Sequence, residues 1–310
     1  MRTPWLSVIV PTFNGERFLA EALESVVRQA DSSLEVIAVD DGSSDRTVSI
    51  LESFASRLDL TILRGSHHGS WIRSSNRALE AARGEYACFL HQDDFWLDGR
   101  ISAMRALGRE FPQAVLLLHQ ADFVDAAGRK VGRWRCPFRS KKALLSSELV
   151  LSRLIVQNFI AVPAPIWKRE AAGPLDERLW FTGDWKMWLN LAQVGPWAYL
   201  PQPLSGFRLH AGSQTITGVK NRSSYGDQYA SVLNEFLPAV APNRSLESLA
   251  RFSCDTNQCL ASHFHRRRSP WLRLLIDGLK LGPMGWFRFA YYSRIFERVA
   301  ARLRVKLRLS

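Results

Sequence analysis

The sequence predicts an α/β fold: a mostly parallel sheet flanked by helices, followed by a basic, largely helical C-terminal extension. Three observations predict it. The first 125 residues alternate short, wholly apolar runs with stretches of helical periodicity, the pattern of βαβ units whose sheet is covered on both faces. Three of the runs end in polar clusters: Pro11-Thr12-Phe13-Asn14, Asp40-Asp41-Gly42-Ser43 and His91-Gln92-Asp93-Asp94. In a parallel sheet these would converge on the one edge where such sheets bind ligands. Charge is also unevenly placed. Of a net +12, a surplus of ten lies in residues 251–310, where 13 Lys or Arg face only Asp255, Asp277 and Glu297.

Each element has a local reason. LSVIV (6–10) is a β-branched run, closed by the turn formers Pro11, Asn14 and Gly15. Phe18, Leu19, Ala22, Leu23, Val26 and Val27 then recur at helical spacing within 16–30. LEVIAVDD (34–41) is the next strand, and GSSDRT offers caps for a helix carrying Val48, Ile50, Leu51 and Phe54. LTILRG (60–65) is a third strand, 72–83 a helix stopped by Gly84, and YACFL (86–90) a fourth strand. A helix over 98–110 and a fifth strand over 114–124 complete this half. Beyond it the pattern is less regular. GRWRCPFRSKK reads as a basic loop, 144–157 and 183–195 as helices, and 222–310 as mostly helical. RLRVKLRL (302–309) alternates with period two and is expected to be a strand or disordered. The expected division is 1–220, with halves 1–125 and 126–220, and a C-terminal region 221–310.

Composition narrows the class. Hydrophobic content of 46% and charged content of 23% suit a chain that buries a core. Cys88, Cys136, Cys254 and Cys259 show no CxxC spacing, so reduced thiols are expected and a zinc site is not. No signal peptide or membrane-spanning run is expected, since no apolar stretch reaches about 18 residues. The basic tail points to an anionic surface. No nucleic-acid-binding motif accompanies it, so lipid headgroups are expected rather than nucleic acid.

The strand-end clusters suit a nucleotide. Carboxylates after the second strand can accept from a base or ribose, as acids do in dinucleotide sites. Neither GxGxxG nor GxxxxGK[ST] is present, so the phosphates need another partner. Adjacent Asp93 and Asp94 repel one another, and a divalent cation bridging to phosphate would offset that cost. A helix cap plus a solvated turn residue is the plainer alternative. His67, His68 and His119 are expected to have no functional role, and Trp185 and Trp188 to be core or pocket wall.

SVIVPTFNGERFLAEALESVVRQ, LEVIAVDDGSSDRT, SSNRALEAARGEYACFLHQDDFW, DERLWFTGDWKMWLNLA and LPQPLSGFRLHAGSQT occur in that order. Together, over residues 6–215, they closely resemble family 2 glycosyltransferases, inverting nucleotide-sugar-dependent enzymes of the GT-A fold. The resemblance implies a nucleotide site formed by Pro11, Thr12, Phe13, Asn14, Glu16, Asp40, Asp41, Arg73, Asn76, Gln92 and Asp93. It implies Mn²⁺ or Mg²⁺ held by Asp93, with His210 and His91, and Asp184 as general base. Asp94 and Trp185 would lie toward the acceptor. His91, Gly183 and Ser75 stand where the family usually has Asp, Glu and Arg. The implied partners are a nucleotide-sugar donor, UDP-linked by preference, and a glycan or lipid-linked acceptor of polysaccharide or cell-envelope synthesis. An anionic membrane would be met through residues 251–310, which places the enzyme in the cytoplasm at the inner face of the membrane. Two further readings are a nucleotidyltransferase on a related sheet, for which the first loop offers only Arg17, and a non-catalytic nucleotide-sugar or membrane scaffold.

Overall fold

The computed structural model describes residues 3–213, 225–240, 243–264 and 271–309. Four apolar runs become strands β1 (Leu6–Thr12), β2 (Leu34–Asp40), β3 (Leu60–Arg64) and β4 (Tyr86–Phe89), all parallel, in the order β3-β2-β1-β4. Helices α1 (Leu19–Val27), α2 (Thr47–Ser53) and α3 (Trp71–Ala81) make the crossovers. Every residue of β1 and β2 is buried, as expected for strands covered on both faces. The register sets Thr12 opposite Asp40, so the turns that follow β1 and β2 lie side by side. Asp41 N–H donates to Thr12 O at 2.9 Å and ties them together.

The second half of the sheet is more mixed than the sequence suggests. It comprises β5 (Phe95–Trp96), α4 (Arg100–Glu110), β6 (Leu116–Val124), β7 (Lys130–Trp134), β8 (Ala143–Leu145), α5 (Ser147–Leu154), β9 (Ile166–Lys168), α6 (Gly183–Val194) and β10 (Trp197–Arg208). The sheet continues β4-β9-β6-β10-β5, with β9 antiparallel to both neighbours, while β7 pairs with β6 and β8 with β10. The segment expected as a basic loop thus begins in a strand. Its cations disguise it: Lys130 and Arg133 pair with Asp122 on β6, so charge marks an edge strand there. β10 is a single strand despite Pro201 and Pro203, because its register slips at Leu200, Pro203 and Ser205.

Among the described residues four helices follow: α7 (Tyr225–Phe236), α8 (Arg244–Phe264), α9 (Trp271–Ser293, broken at Gly282, φ 62°, before Pro283) and α10 (Ile295–Leu309). The expectation of a strand or disorder over 302–309 is corrected. The segment is helical because Ala301 and Val305, four residues apart, pack on Val131, Phe123 and Leu209. The basic run Arg266–Arg268 and the side chain of Trp271 lie outside the described residues. Tyr229, Val232, Leu249, Phe252, Phe289 and Tyr292 join the same core as the sheet, so α7–α9 are packed against it. All four cysteines are buried.

Candidate active site

A cavity of about 740 Å³ opens at the carboxyl edge of β1, β2 and β4 and runs under α6, α8 and α10. Pro11, Thr12, Phe13, Asp41, His91, Gln92, Asp93, Asp94, Asp184, Trp185 and His210 all line it, although they span 200 residues of sequence. The three strand-end clusters therefore do converge.

On the strand-end wall Gln92, Thr12 and Asp41 are already engaged. Gln92 bridges two turns, its Oε1 accepting from Phe13 N–H at 2.9 Å and its Nε2 donating to Phe13 O at 3.0 Å. The Thr12 hydroxyl donates to Val39 O. Asp41 accepts from the backbone N–H of His68 and of Gly69, both at 2.9 Å, and lies 3.0 Å from ring nitrogens of His67 and His68. His67 in turn stacks on Phe13 at 4.0 Å. These two histidines, expected to be idle, instead hold the segment before α3 against Asp41. The pair His-His-Gly just ahead of a helix start was the one signal available.

The two adjacent aspartates divide their labour. Burial pushes the Asp93 carboxyl up, but the His210 hydrogen bond and the nearby His91 and His210 rings outweigh it and hold its pKa below the usual range. His210 Nε2 sits 2.9 Å from Asp93 Oδ2. For Asp94, burial and the Asp93 charge push the pKa well above the usual range. Its Oδ1 accepts from Arg208 N–H at 2.9 Å. The two carboxyls are thus pushed in opposite directions, which eases the repulsion that the sequence poses. Arg208 is the clamp the sequence did not reveal: buried, it donates to Asp93 O at 2.7 Å and to Glu21, and lies 4.7 Å over Phe18.

Asp93 and His210 are one carboxylate and one imidazole facing the cavity, a donor set that fits Mn²⁺ or Mg²⁺ when phosphate oxygens and water fill the remaining positions. His91 is set apart. It packs against Trp71 and Phe89, burial keeps it neutral against the pull of Asp93, and its Nε2 meets no partner. Among the described residues no three His, Cys, Asp or Glu side chains gather into a closed cage.

Five residues expected at the nucleotide do not line the cavity. Asn14 accepts from Ser44 N–H, Glu16 pairs with Arg46, and Asp40 accepts from Ser43 N–H. Arg73 pairs with Glu177, and Asn76 holds the backbone of Leu175 in both directions. Neighbouring side chains and backbone take up their polar atoms. That competition is invisible in a motif.

The opposite wall is built by α6. Asp184 lies in its first turn, 8% exposed, with Oδ2 accepting from Asn158 Nδ2 at 2.9 Å. Burial pushes its pKa up to about 6, against the backbone N–H groups of Trp185 and Asp184 and the Asn158 amide, which pull it down. Asn158 is fixed by Ile160 N–H at its Oδ1. Trp185 is core, its Nε1 donating to Leu154 O at 2.8 Å. Gly183 stands where it does because a Cβ would overlap Ile72 Cδ1 on α3. The N-terminus of α6 thus packs directly on α3.

Comparison with known proteins gives a consistent picture. The sequence profile of Glycosyl transferase family 2 matches residues 7–147. An uncharacterized glycosyltransferase of Rickettsia prowazekii is 24% identical over 236 residues, covering 75% of this chain and 73% of its own. Among solved structures, S. aureus TarS 1–349 in complex with UDP-GlcNAc superposes with a TM-score of 0.64 at 19% identity, over 93% of this chain and 79% of that one. A mannosyltransferase from Pyrobaculum calidifontis, in complex with GDP-Man and Mn²⁺, gives 0.56 at 17% identity over 98% and 88%.

Proposed function

We propose a reaction for this chain from the premise that it is a family 2 glycosyltransferase with the GT-A fold. It transfers a sugar from a nucleotide diphosphate, UDP by preference, to a hydroxyl, with inversion. The observation that carries this reading is that a buried carboxylate of pKa about 6, Asp184, shares one cavity with the hydrogen-bonded Asp93–His210 pair.

On this reading the nucleobase lies against Phe13 and the Asp41-anchored loop, where a base N–H replaces one of the histidine contacts. Gln92 keeps the two turns in register beneath it. Asp93 and His210 hold a divalent cation, which when bound neutralises charge on the departing diphosphate. Asp184 accepts the proton of the acceptor hydroxyl as that oxygen bonds to the anomeric carbon. The bond from that carbon to the phosphate oxygen breaks, and the nucleotide diphosphate leaves with the electron pair. Direct displacement inverts the anomeric centre. A base of pKa about 6 is ionised at neutral pH yet basic enough to assist, the range in which general bases work well. Residues 1–125 serve the donor and 126–220 the acceptor.

The UDP-GlcNAc complex of TarS favours a UDP-linked donor here, and the GDP-Man and Mn²⁺ complex supports the cation. Calorimetry with UDP-, GDP- and dTDP-sugars, with and without Mn²⁺, tests the assignment. Selective, Mn²⁺-dependent binding that disappears in Asp93→Ala is expected, and metal-independent binding in both proteins would remove Asp93 from this role.

Residues 251–310 are proposed to rest on an anionic membrane. No described helix is long and apolar enough to cross one. Support comes from Ile276, Leu279, Met284 and Phe287 on α9 and Phe296 on α10, all exposed, on a segment with a surplus of ten positive charges. Co-sedimentation with phosphatidylglycerol vesicles, lost in Met284→Ser/Phe287→Ser and absent with neutral vesicles, is the expected result.

A further inference from the structure

The cavity has a polar part and an apolar part. The polar part lies at the ends of β1, β2 and β4, and all four carboxylates of the lining, Asp41, Asp93, Asp94 and Asp184, come from strand ends and α6. The apolar part lies between the β6–β7–β10 half of the sheet and α10. Trp134, Phe207, Val299 and Leu303 line it, with Leu260 of α8 nearby. Arg298 and Arg302 line it as well, each with an interaction of its own.

The floor of the apolar part is aromatic. Trp134 stacks on Phe123 at 4.9 Å and meets Phe207 edge-on at 4.9 Å, and both Trp134 and Phe207 are only partly buried. Phe123, Val131 and Leu209 join Ala301 and Val305 in one apolar cluster, which fixes α10 to the sheet. The opposite side of the helix carries Phe296, Val299 and Leu303, whose spacing of three and four residues sets them in one stripe about 10 Å long. Phe296 is 73% exposed and Leu303 54%, while Val299 and Leu303 line the cavity. Leu303 is therefore surface and cavity wall at once, and the stripe leads from the outside of the molecule into the cavity. Sites for small molecules are mostly apolar, with a few polar groups that fix the reacting end. The transfer proposed above says what covers this surface. The donor takes Asp41 and Asp93 and the acceptor hydroxyl takes Asp184, so the space along α10 is left for the rest of the acceptor.

We propose that the acceptor is an amphiphile drawn from a lipid surface, with its hydroxyl-bearing head at Asp184 and its aliphatic chain between Trp134–Phe207 and Val299–Leu303. The chain enters past Leu303, on the helix that follows α9 and its exposed apolar side chains. This inference rests on the reading of the cavity as the transfer site and of α9–α10 as the membrane face. It adds the class of acceptor and its path.

The full-length protein, saturated with the nucleotide diphosphate selected by calorimetry, is titrated with methyl, butyl, hexyl and octyl β-glucoside, each below its micelle concentration, by ligand-observed NMR. Affinity is expected to rise with chain length by about two- to fourfold per methylene, the contribution of a methylene taken out of water. Hexyl glucoside bearing a diazirine at the chain end should label peptides that contain Val299–Leu303 or Trp134. Equal affinity along the series, or label confined to α9, overturns the inference. In Leu303→Ser the gain from methyl to octyl should shrink by about threefold while the nucleotide still binds, and Leu303→Met should keep it. An unchanged gain in Leu303→Ser also overturns the inference, and if that variant does not fold, the position of the label on the unmodified protein decides. Met284→Ser/Phe287→Ser should lose vesicle binding and keep the chain preference. Chain preference in a protein that binds no vesicle would overturn the lipid source. Transfer that survives Asp184→Asn counts against the catalytic reading and leaves the chain-length series unaffected. A dimer in sedimentation that Leu303→Ser dissociates would give this face to a second copy and overturn the inference.

Discussion

At the strand-end wall of the cavity, Asp41 accepts two backbone N–H groups and touches two histidine rings, and Gln92 donates and accepts across one gap. At the helical wall, Thr182 Oγ1 and Arg298 Nη1 meet nothing, and Asp184 is held by burial in a state that costs free energy to ionise. Apart from His91 Nε2, the groups of the first wall are paired before a ligand arrives. The second wall leaves buried polar atoms unpaired beside a carboxyl whose ionisation burial disfavours. Binding of a common nucleotide needs a rigid, preformed seat, whereas transfer needs a base that is under-solvated. The comparison predicts that substitutions on the two walls move stability in opposite directions.

The largest effect is expected in turnover. Asp184→Asn keeps the shape and removes the proposed base, so transfer measured as nucleotide release should fall by about 10²- to 10⁴-fold. Nucleotide affinity by calorimetry should hold. Equal loss of both would mean that Asp184 belongs to the donor seat and that the two walls are not distinct.

Next comes stability at the strand-end wall. Asp41→Ala leaves the His68 and Gly69 amides without their acceptor and should cost about 1–3 kcal/mol in chemical denaturation. Asp184→Asn should do the reverse. With a folded pKa of about 6 against an ordinary 3.8, the folded state keeps a proton that the unfolded chain has released between those two values. Stability therefore falls as pH rises through that window, and the whole deficit is present above about 6. Removing the charge should raise stability at pH 7.5 by about 1–2 kcal/mol and leave it nearly unchanged at pH 3.5. A destabilised Asp184→Asn protein at pH 7.5 would break the comparison outright.

The smallest expected effect sharpens it. If Asp184 is the base, as proposed, kcat/KM should rise with pH to a plateau through an apparent pKa near 6, the range in which its carboxyl ionises. Asn158 favours that form by donating to it, so Asn158→Ala should move the limb to higher pH by roughly half a unit to one unit. An unmoved limb would assign the titration to another group.

The strand-end wall was also the legible one. β1, β2 and β4 announce themselves by apolar runs of five to eight residues, and the turns that follow carry their chemistry within four residues of the strand. That is local information, and a parallel sheet converts it into convergence without further instruction. Within this legible half Asn14, Glu16, Asp40, Arg73 and Asn76, expected at the nucleotide, do not line the cavity. Whether a side chain faces a ligand or a neighbouring backbone depends on what that backbone offers, as Leu175 offers both its groups to Asn76.

By itself the sequence determined the fold class and the edge of the sheet where Asp93 lies, while Asp184 entered through the resemblance to family 2 glycosyltransferases. The first two follow from periodicity and from residues fixed to the ends of strands, where position along the chain sets position in space. Tertiary structure alone decided which way the Asp93 and Asp94 carboxyls are pushed, since burial and the hydrogen bond from His210, 117 residues along the chain from Asp93, set it. It also decided that Asn158 serves Asp184, that Ile72 excludes a side chain at position 183, and that α10 brings Arg298 to the cavity. Charge state and polar satisfaction are set by burial and by partners remote in sequence, and both exist only once the chain has packed.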